Sequence, residues 1–328
     1  MKHLAANAMT LLIVALVAAA GVVFWGMQKW EAAGPLQTPT RFTVASGASL
    51  ASASAALEKQ GVITNASIFR IGARYKKAAT ALKAGEYEIP PSASMEEVLG
   101  IIVSGKAIQY KVTVAEGLTS WEIVEILKAN DLLTGEIEEI PVEGSLAPDT
   151  YFFGREENRN AVIRRMQAAQ TRILDQVWEG RASGLPLDTK LEALTLASIV
   201  EKETGVASER DIVAGVFINR LNRRMRLQSD PTIIYGITNG QGPLGRGIRR
   251  SEINKATPYN TYVIDRLPPG PIANPGRDAI QAVLNPAETA AIYFVADGTG
   301  GHAFAESLRE HNQNVAAWRK IERARQSE

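Results

Sequence analysis

Between Leu4 and Gln28 the chain carries no charged residue. The densest part runs from Met9 to Met27 and includes Leu11–Val17 and Val22–Trp25. An apolar stretch this long can cross a bilayer as one helix. Lys2 and the terminal amine precede it; Lys29 follows but is offset by Glu31. That asymmetry is small and favours an N-terminus in the cytoplasm. Trp25 and Trp30 suit the outer interface. The competing reading is a cleaved signal peptide, with Ala18-Ala19-Ala20 resembling a cleavage site. Cutting there leaves Gly-Val-Val-Phe-Trp-Gly-Met as the new terminus, a poor start for a soluble protein, so an anchor is expected. Either way the rest of the chain leaves the cytoplasm.

Composition narrows the chemistry. The 328 residues are 45% hydrophobic, enough for a real core, with 36 basic against 35 acidic residues. That balance gives no reason to expect nucleic acid as a partner. There is no cysteine, which removes disulfides, thiolate metal sites and a cysteine nucleophile. The three histidines are His3, His302 and His311, and no HExxH spacing occurs. No metal and no cofactor is expected. A Ser-His-Asp triad or a multi-histidine metal site would have to draw on His302 and His311, so carboxylates are the agents expected.

After the anchor, residues 29–40 contain Gly34, Pro35 and Pro39 and read as a linker. Residues 41–140 contain an internal repeat. Phe42-Thr43-Val44-Ala45-Ser46-Gly47 returns as Val112-Thr113-Val114-Ala115-Glu116-Gly117. Leu57 matches Leu127, and Val62-Ile63 match Leu132-Leu133, at the same offset. Each unit reads as a short β run, a Gly turn, an amphipathic helix and an apolar pair. The second helix shows Ile123, Ile126 and Leu127, with Trp121 near its start. Between the repeats, Gly85–Pro90 reads as a strand and Met95–Val103 as a helix. The pattern resembles small βααβ LysM-like modules that contact peptidoglycan; a structural spacer fits the same residues. The acidic stretch Glu136–Glu143 marks the boundary. From there to the C-terminus, 141–328, one mixed domain is expected, helical first, with turns and short strands such as Ala291–Val295 after Met225.

The segment Leu191–Gly205 reads as a helix with a Gly C-cap. Ala193, Leu196, Ala197 and Val200 form a buried stripe that continues to Glu203 and Thr204. Glu201 falls in line with Leu194 and Ser198. Glu203 is therefore the carboxylate expected at the edge of the core, where desolvation raises its pKa and keeps a general acid protonated. An ordinary helix end with two solvated glutamates fits periodicity too. Ser208-Glu209-Arg210-Asp211 reads as an N-cap opening a helix from Asp211 to about Arg223.

Several motifs together carry a resemblance. They are Ala197–Thr204, Ala207–Arg210, Val216–Leu221, Met225–Thr232 with Tyr235-Gly236, Thr257–Tyr262, Leu267–Ile272 and Tyr293–Gly298. In this order and spacing the chain resembles the YceG-like family of endolytic murein transglycosylases. Ala147, within Leu146–Tyr151, departs from the usual aromatic. The resemblance implies an α+β fold: one N-terminal transmembrane helix (1–28), a LysM-like α+β domain (41–140) and a mixed α/β, lysozyme-like catalytic domain (141–328). It implies one catalytic glutamate in a Glu-Thr pair, which Glu203-Thr204 matches, with Glu201 as the fallback.

The implied reaction cleaves the MurNAc-β-1,4-GlcNAc bond without water and leaves 1,6-anhydro-MurNAc. Gln228, Asp230, Tyr235, Asn260 and Tyr262 are candidates to bind sugar, although turns favour the same residue types. Arg246, Arg249 and Arg250 read as an exposed basic loop or as partners for stem-peptide carboxylates. The implied setting is the inner membrane, with the catalytic domain in the periplasm and partners in nascent glycan strands, the bilayer and the peptidoglycan synthases. A hydrolytic muramidase, with Asp230 or Glu201 as second carboxylate, and a non-catalytic glycan-binding scaffold are the alternatives.

Overall fold

The structure, a computed structural model, describes residues 2–326. Met1 and the side chain of Lys2, on which the charge-bias argument draws, lie outside what is described. The chain divides into two compact units. The first is Met1–Tyr110 with Phe152–Arg155; the second is Lys111–Tyr151 with Glu156–Glu328. The boundary expected near residue 140 thus falls after Tyr110, because the second half of the repeat packs within the second unit.

In the first unit, α1 (Lys2–Glu31) is long and apolar enough to cross a membrane over Asn7–Glu31. Its side chains from Asn7 to Trp25 are exposed, with Leu12 at 61% and Phe24 at 64%. Strand β1 (Thr40–Val44) pairs antiparallel with β2 (Gly85–Ile89), and α2 (Leu50–Lys59) and α3 (Ala66–Tyr75) lie between them in sequence. Helix α4 (Met95–Ser104) follows, opened by a Ser94–Glu97 capping box. Phe42, Leu57, Phe69, Tyr87 and Ile102 form the core. Residues 29–40 do not hang free as a linker. Trp30 and Leu36 are buried in this core, and the Gly34 and Ser92 N–H groups donate to Ser92 and Leu36 carbonyls.

Strand β3 (Tyr110–Thr113) pairs with β5 (Thr150–Phe153). In the second unit, α5 (Ser120–Lys128) buries Ser120, Ile123, Val124 and Leu127, an i, i+3, i+4, i+7 set. Ile126, expected on that stripe, is 36% exposed. Short β4 (Leu133–Thr134) and β6 (Glu157–Asn158) pair in parallel and lead into α6 (Arg159–Glu179). The core is built from α7 (Lys190–Glu203), α8 (Arg210–Asn222) and a helix absent from the sequence reading, α11 (Arg277–Leu284). Between α8 and α11 come α9 (Asp230–Thr238) and α10 (Arg250–Ile253). The hairpin β7 (Tyr293–Ala296) and β8 (His302–Ala305) precedes α12 (Leu308–Gln326).

Candidate active site

Helix α7 is buried on every side from Ala193 to Val200. Periodicity therefore does not separate Glu203 from Glu201, since both continue buried lines. The helix also ends differently from expectation. Thr204 is the C-cap in extended geometry (φ −138°), and Gly205 supplies no left-handed residue. The Thr204 Oγ1 accepts from the Val206 N–H at 3.0 Å and stiffens the exit.

Glu203 is half-buried, and its Oε1 accepts a 2.5 Å hydrogen bond from Ser229 Oγ. Ser229 is itself held before any substrate arrives. Its N–H donates to Thr261 Oγ1 at 2.9 Å, and its carbonyl accepts from Thr232 Oγ1 at 2.6 Å. All three residues are buried. Burial pushes the Glu203 carboxyl above the usual carboxylate range, and the Asp230 charge adds to the effect; the Ser229 hydroxyl, His302 and Arg220 oppose it. This is the environment in which a carboxylic acid keeps its proton near neutral pH.

Glu201 lies in a different setting. Its side chain is 6% exposed, with Oε2 accepting from the Gly276 N–H at 2.9 Å and Oε1 4.0 Å from the Arg210 guanidinium. Burial raises its pKa too, while the Gly276 N–H lowers it. Arg210 also approaches Glu116 (3.8 Å) and Asp278 (3.4 Å). Glu201 is thus tied into a charge network that joins α7, α8, α11 and the turn before α5.

Of the other sequence candidates, three lie beside Glu203 and the rest lie elsewhere. Asp230 is exposed and accepts from the Tyr262 hydroxyl at 2.6 Å; burial and this bond raise the Tyr262 pKa. Asp230 directly follows Ser229, so this pair lies beside the Glu203 cluster. Gln228 has an exposed side chain and a left-handed backbone (φ 52°), and its N–H donates to the Thr261 carbonyl. Asn260 is 1% exposed, and its amide donates to the Glu252, Ile253 and Lys255 carbonyls, so it holds the loop after α10. Tyr235 sits against Tyr259 (ring centroids 4.8 Å apart) and hydrogen-bonds to Glu143. Arg246 forms a two-pronged pair with Glu252 (2.6 and 2.8 Å) that pulls the Glu252 carboxyl down to about 2.

Three functional-site features were missed in the sequence. Arg220 is buried and donates to the Ile292 and Leu227 carbonyls at 2.7 and 2.6 Å. A lone Arg in the apolar run Val216–Leu221 was the available signal. Glu209, read as part of an N-cap, makes no cap bond; it accepts from the His302 N–H at 2.9 Å and faces its Nδ1 at 2.7 Å. Asn274 is fully buried, and its Nδ2 donates to Leu118 O, Ser120 Oγ and Glu143 Oε1, each at 3.1 Å. Its Oδ1 accepts from the Leu146 N–H at 2.8 Å.

The model of the YceG-like family matches residues 42–317. The chain belongs to the YceG-like family. Proteins named endolytic murein transglycosylase are similar to this YceG-like chain over most of its length. One from Streptococcus pneumoniae serotype 2 (strain D39) is 32% identical over 309 residues, covering 79% of this chain and 55% of its own. The chain thus spans about half the length of that streptococcal relative. One from Bacillus subtilis (strain 168) is 27% identical, with 84% of each chain covered. A crystal structure of a YceG-like protein from Listeria monocytogenes shares 29% identity at a TM-score of 0.50, covering 84% of this chain and 99% of that one.

Proposed function

We propose that this protein is a membrane-anchored lytic transglycosylase that cuts peptidoglycan glycan strands internally, with Glu203 as its single acid/base. The observation that carries the reading is Glu203 at the end of a rigid buried helix, half-buried, with an elevated pKa and one hydroxyl partner that is itself locked. Glu201, by contrast, is occupied by Gly276 and Arg210. The relatives' name, endolytic murein transglycosylase, supplies the substrate class.

In the proposed mechanism neutral Glu203 protonates the departing GlcNAc oxygen as an oxocarbenium-like centre develops on MurNAc. The resulting carboxylate accepts the proton of the MurNAc C6 hydroxyl, whose oxygen closes onto C1. The C1–O bond to GlcNAc breaks, the C1–O6 bond forms, and Glu203 ends protonated as it began. The products are a free GlcNAc hydroxyl and a 1,6-anhydro-MurNAc end. Ser229 is suited to stabilise the ionised interval, because its hydroxyl favours the charged carboxylate. Asp230, Tyr262 and Gln228 are the nearby groups offered to sugar hydroxyls. Helix α1 serves as an uncleaved anchor that holds the enzyme at the periplasmic face of the inner membrane. Residues 41–140 act as the LysM-like part, and cutting nascent strands there ends their elongation beside the synthases.

The test is Glu203→Gln in the full-length protein, assayed on purified glycan strands. Cleavage is expected to fall by at least about a hundredfold, the scale of a lost general acid, with the fold retained. If Glu203→Gln keeps near-parental turnover and Glu201→Gln is inactive, the catalytic assignment passes to Glu201.

A further inference from the structure

Helix α3 carries a surface that its unit does not use. Ile71 and Tyr75 lie at i and i+4 and so share one face, while Ile68 packs against the unit's own core. Ile71 is 68% and Tyr75 84% exposed, although an isolated soluble helix would place polar residues there. Between Ala66 and Lys77 there is no acidic residue, while Arg70, Arg74, Lys76 and Lys77 are basic. Lys76 pairs with Glu96 at 2.6 Å, and Arg70 donates to Ser67 Oγ. The side chains of Arg74 and Lys77 bond to no protein group among the described residues.

The position of this face along α1 is set by contacts. The Trp30 ring packs on Phe69 (centroids 6.0 Å) and directly on Gly72, where an added Cβ would lie 2.4 Å from the ring. A groove of ≈ 260 Å³ is lined by Trp25 and Lys29 of α1 together with Ile68 of α3. Helix α3 therefore lies beside residues 25–30 of α1. The apolar span Asn7–Glu31 has 25 residues. At the helical rise that is roughly 37 Å, longer than a hydrocarbon core of about 30 Å. Its last turns, with the exposed Trp25, then fall at the bilayer interface, the level tryptophans favour.

We infer that α3 is a membrane-docking helix: Ile71 and Tyr75 enter the interfacial layer beside the anchor while Arg74 and Lys77 meet anionic phospholipid headgroups. The physics is that of an interfacial amphipathic helix, with modest apolar burial reinforced by charge. Docking fixes the first unit against the bilayer at two points instead of one. The inference rests on α1 spanning the membrane as proposed above.

The chain has no cysteine, so single labels are clean. An environment-sensitive fluorophore is attached to full-length protein through Ile71→Cys, Tyr75→Cys or, within the span, Phe24→Cys. The protein is reconstituted into phosphatidylcholine vesicles with or without phosphatidylglycerol, each containing a lipid spin-labelled near the headgroup or deeper in the chain. Labels at 71 and 75 are expected to be quenched by the headgroup-level spin label, more strongly with phosphatidylglycerol. Adding Arg74→Gln should lower the docked-to-undocked ratio about fivefold in the anionic vesicles, the scale of one surface cation. A quenched label at 24 with unquenched labels at 71 and 75 overturns docking while leaving the anchor. Cross-linking of two copies through 71 or 75 without lipid quenching overturns it in favour of self-association. A label at 24 that no lipid quenches defeats the anchor and the docking together.

Discussion

The two halves of the internal repeat have the same local design and different surroundings. Both have a glycine turn of similar φ, Gly47 at 74° and Gly117 at 76°. Both open their helix with a hydroxyl N-cap, Ser49 and Thr119, and both bury a leucine completely, Leu57 and Leu127. In the first half the turn and cap are exposed, and the Ser49 hydroxyl bonds only to Ser52 among the described residues. In the second they are buried. Thr119 Oγ1 donates to the Gly240 carbonyl at 2.6 Å, and the Gly117 carbonyl accepts from Lys202, between the two glutamates of α7. A duplicated motif has thus kept an open surface in one copy, while the other copy supports α7. The turn chemistry is the same; what it touches differs.

The largest effect that sharpens this contrast is expected at Asn274, which ties the second turn to Glu143 and Leu146. Asn274→Ala orphans several buried groups and should cost about 3 kcal/mol, measured by denaturant unfolding of the full chain. Hydrogen exchange should quicken at residues 117–120 and stay unchanged at 47–50. Equal quickening in both turns would break the comparison. A smaller difference is expected between the caps themselves. Thr119→Val should cost about 2 kcal/mol, through the cap and the Gly240 bond together, and Ser49→Ala about 1 kcal/mol, through the cap alone.

The smallest effects are electrostatic and fall on α7. The Ser229 hydroxyl holds the Glu203 pKa down. Ser229→Ala should therefore raise it and move the alkaline limb of the pH–rate profile to higher pH. A limb that moves to lower pH contradicts the bond's role. Stability gives a matching sign. The folded-state pKa of Glu203 lies above its ordinary 4.5, so its contribution is fully present below the unfolded pKa and lost as pH rises through the folded one. Glu203→Gln removes that loss. The variant should gain stability relative to the parent as pH rises above the ordinary carboxylate range, and the gap should close in acid.

Much of the scaffold was legible because it is local. At the repeat offset β1 corresponds to β3 and α2 to α5 in sequence, and the caps sit where hydroxyls precede apolar periodicity. The glutamate pair at the end of α7 was legible as well. What sets the two glutamates apart was not, because α7 is buried all round and periodicity carries no contrast there. Glu201 is distinguished by the Gly276 N–H, 75 positions away, and Arg210 by carboxylates at 116 and 278. Asn274 and Arg220 likewise act on backbone groups that only the fold brings near. Helix α11 was missed because its apolar set, Ala279, Ile280, Ala282, Val283 and Leu284, is short and follows a Pro- and Gly-rich loop.

The central claim is that Glu203 works alone and that the sugar's own C6 hydroxyl replaces water. Intramolecular closure avoids the entropy of recruiting a solvent nucleophile. The competing chemistry would use Asp230, held by Tyr262, to activate water. Digestion of purified glycan strands by the full-length protein in heavy-oxygen water, followed by mass spectrometry of the new MurNAc ends, separates the two. The account predicts 1,6-anhydro ends without label; heavy oxygen at C1 of most new ends would contradict it.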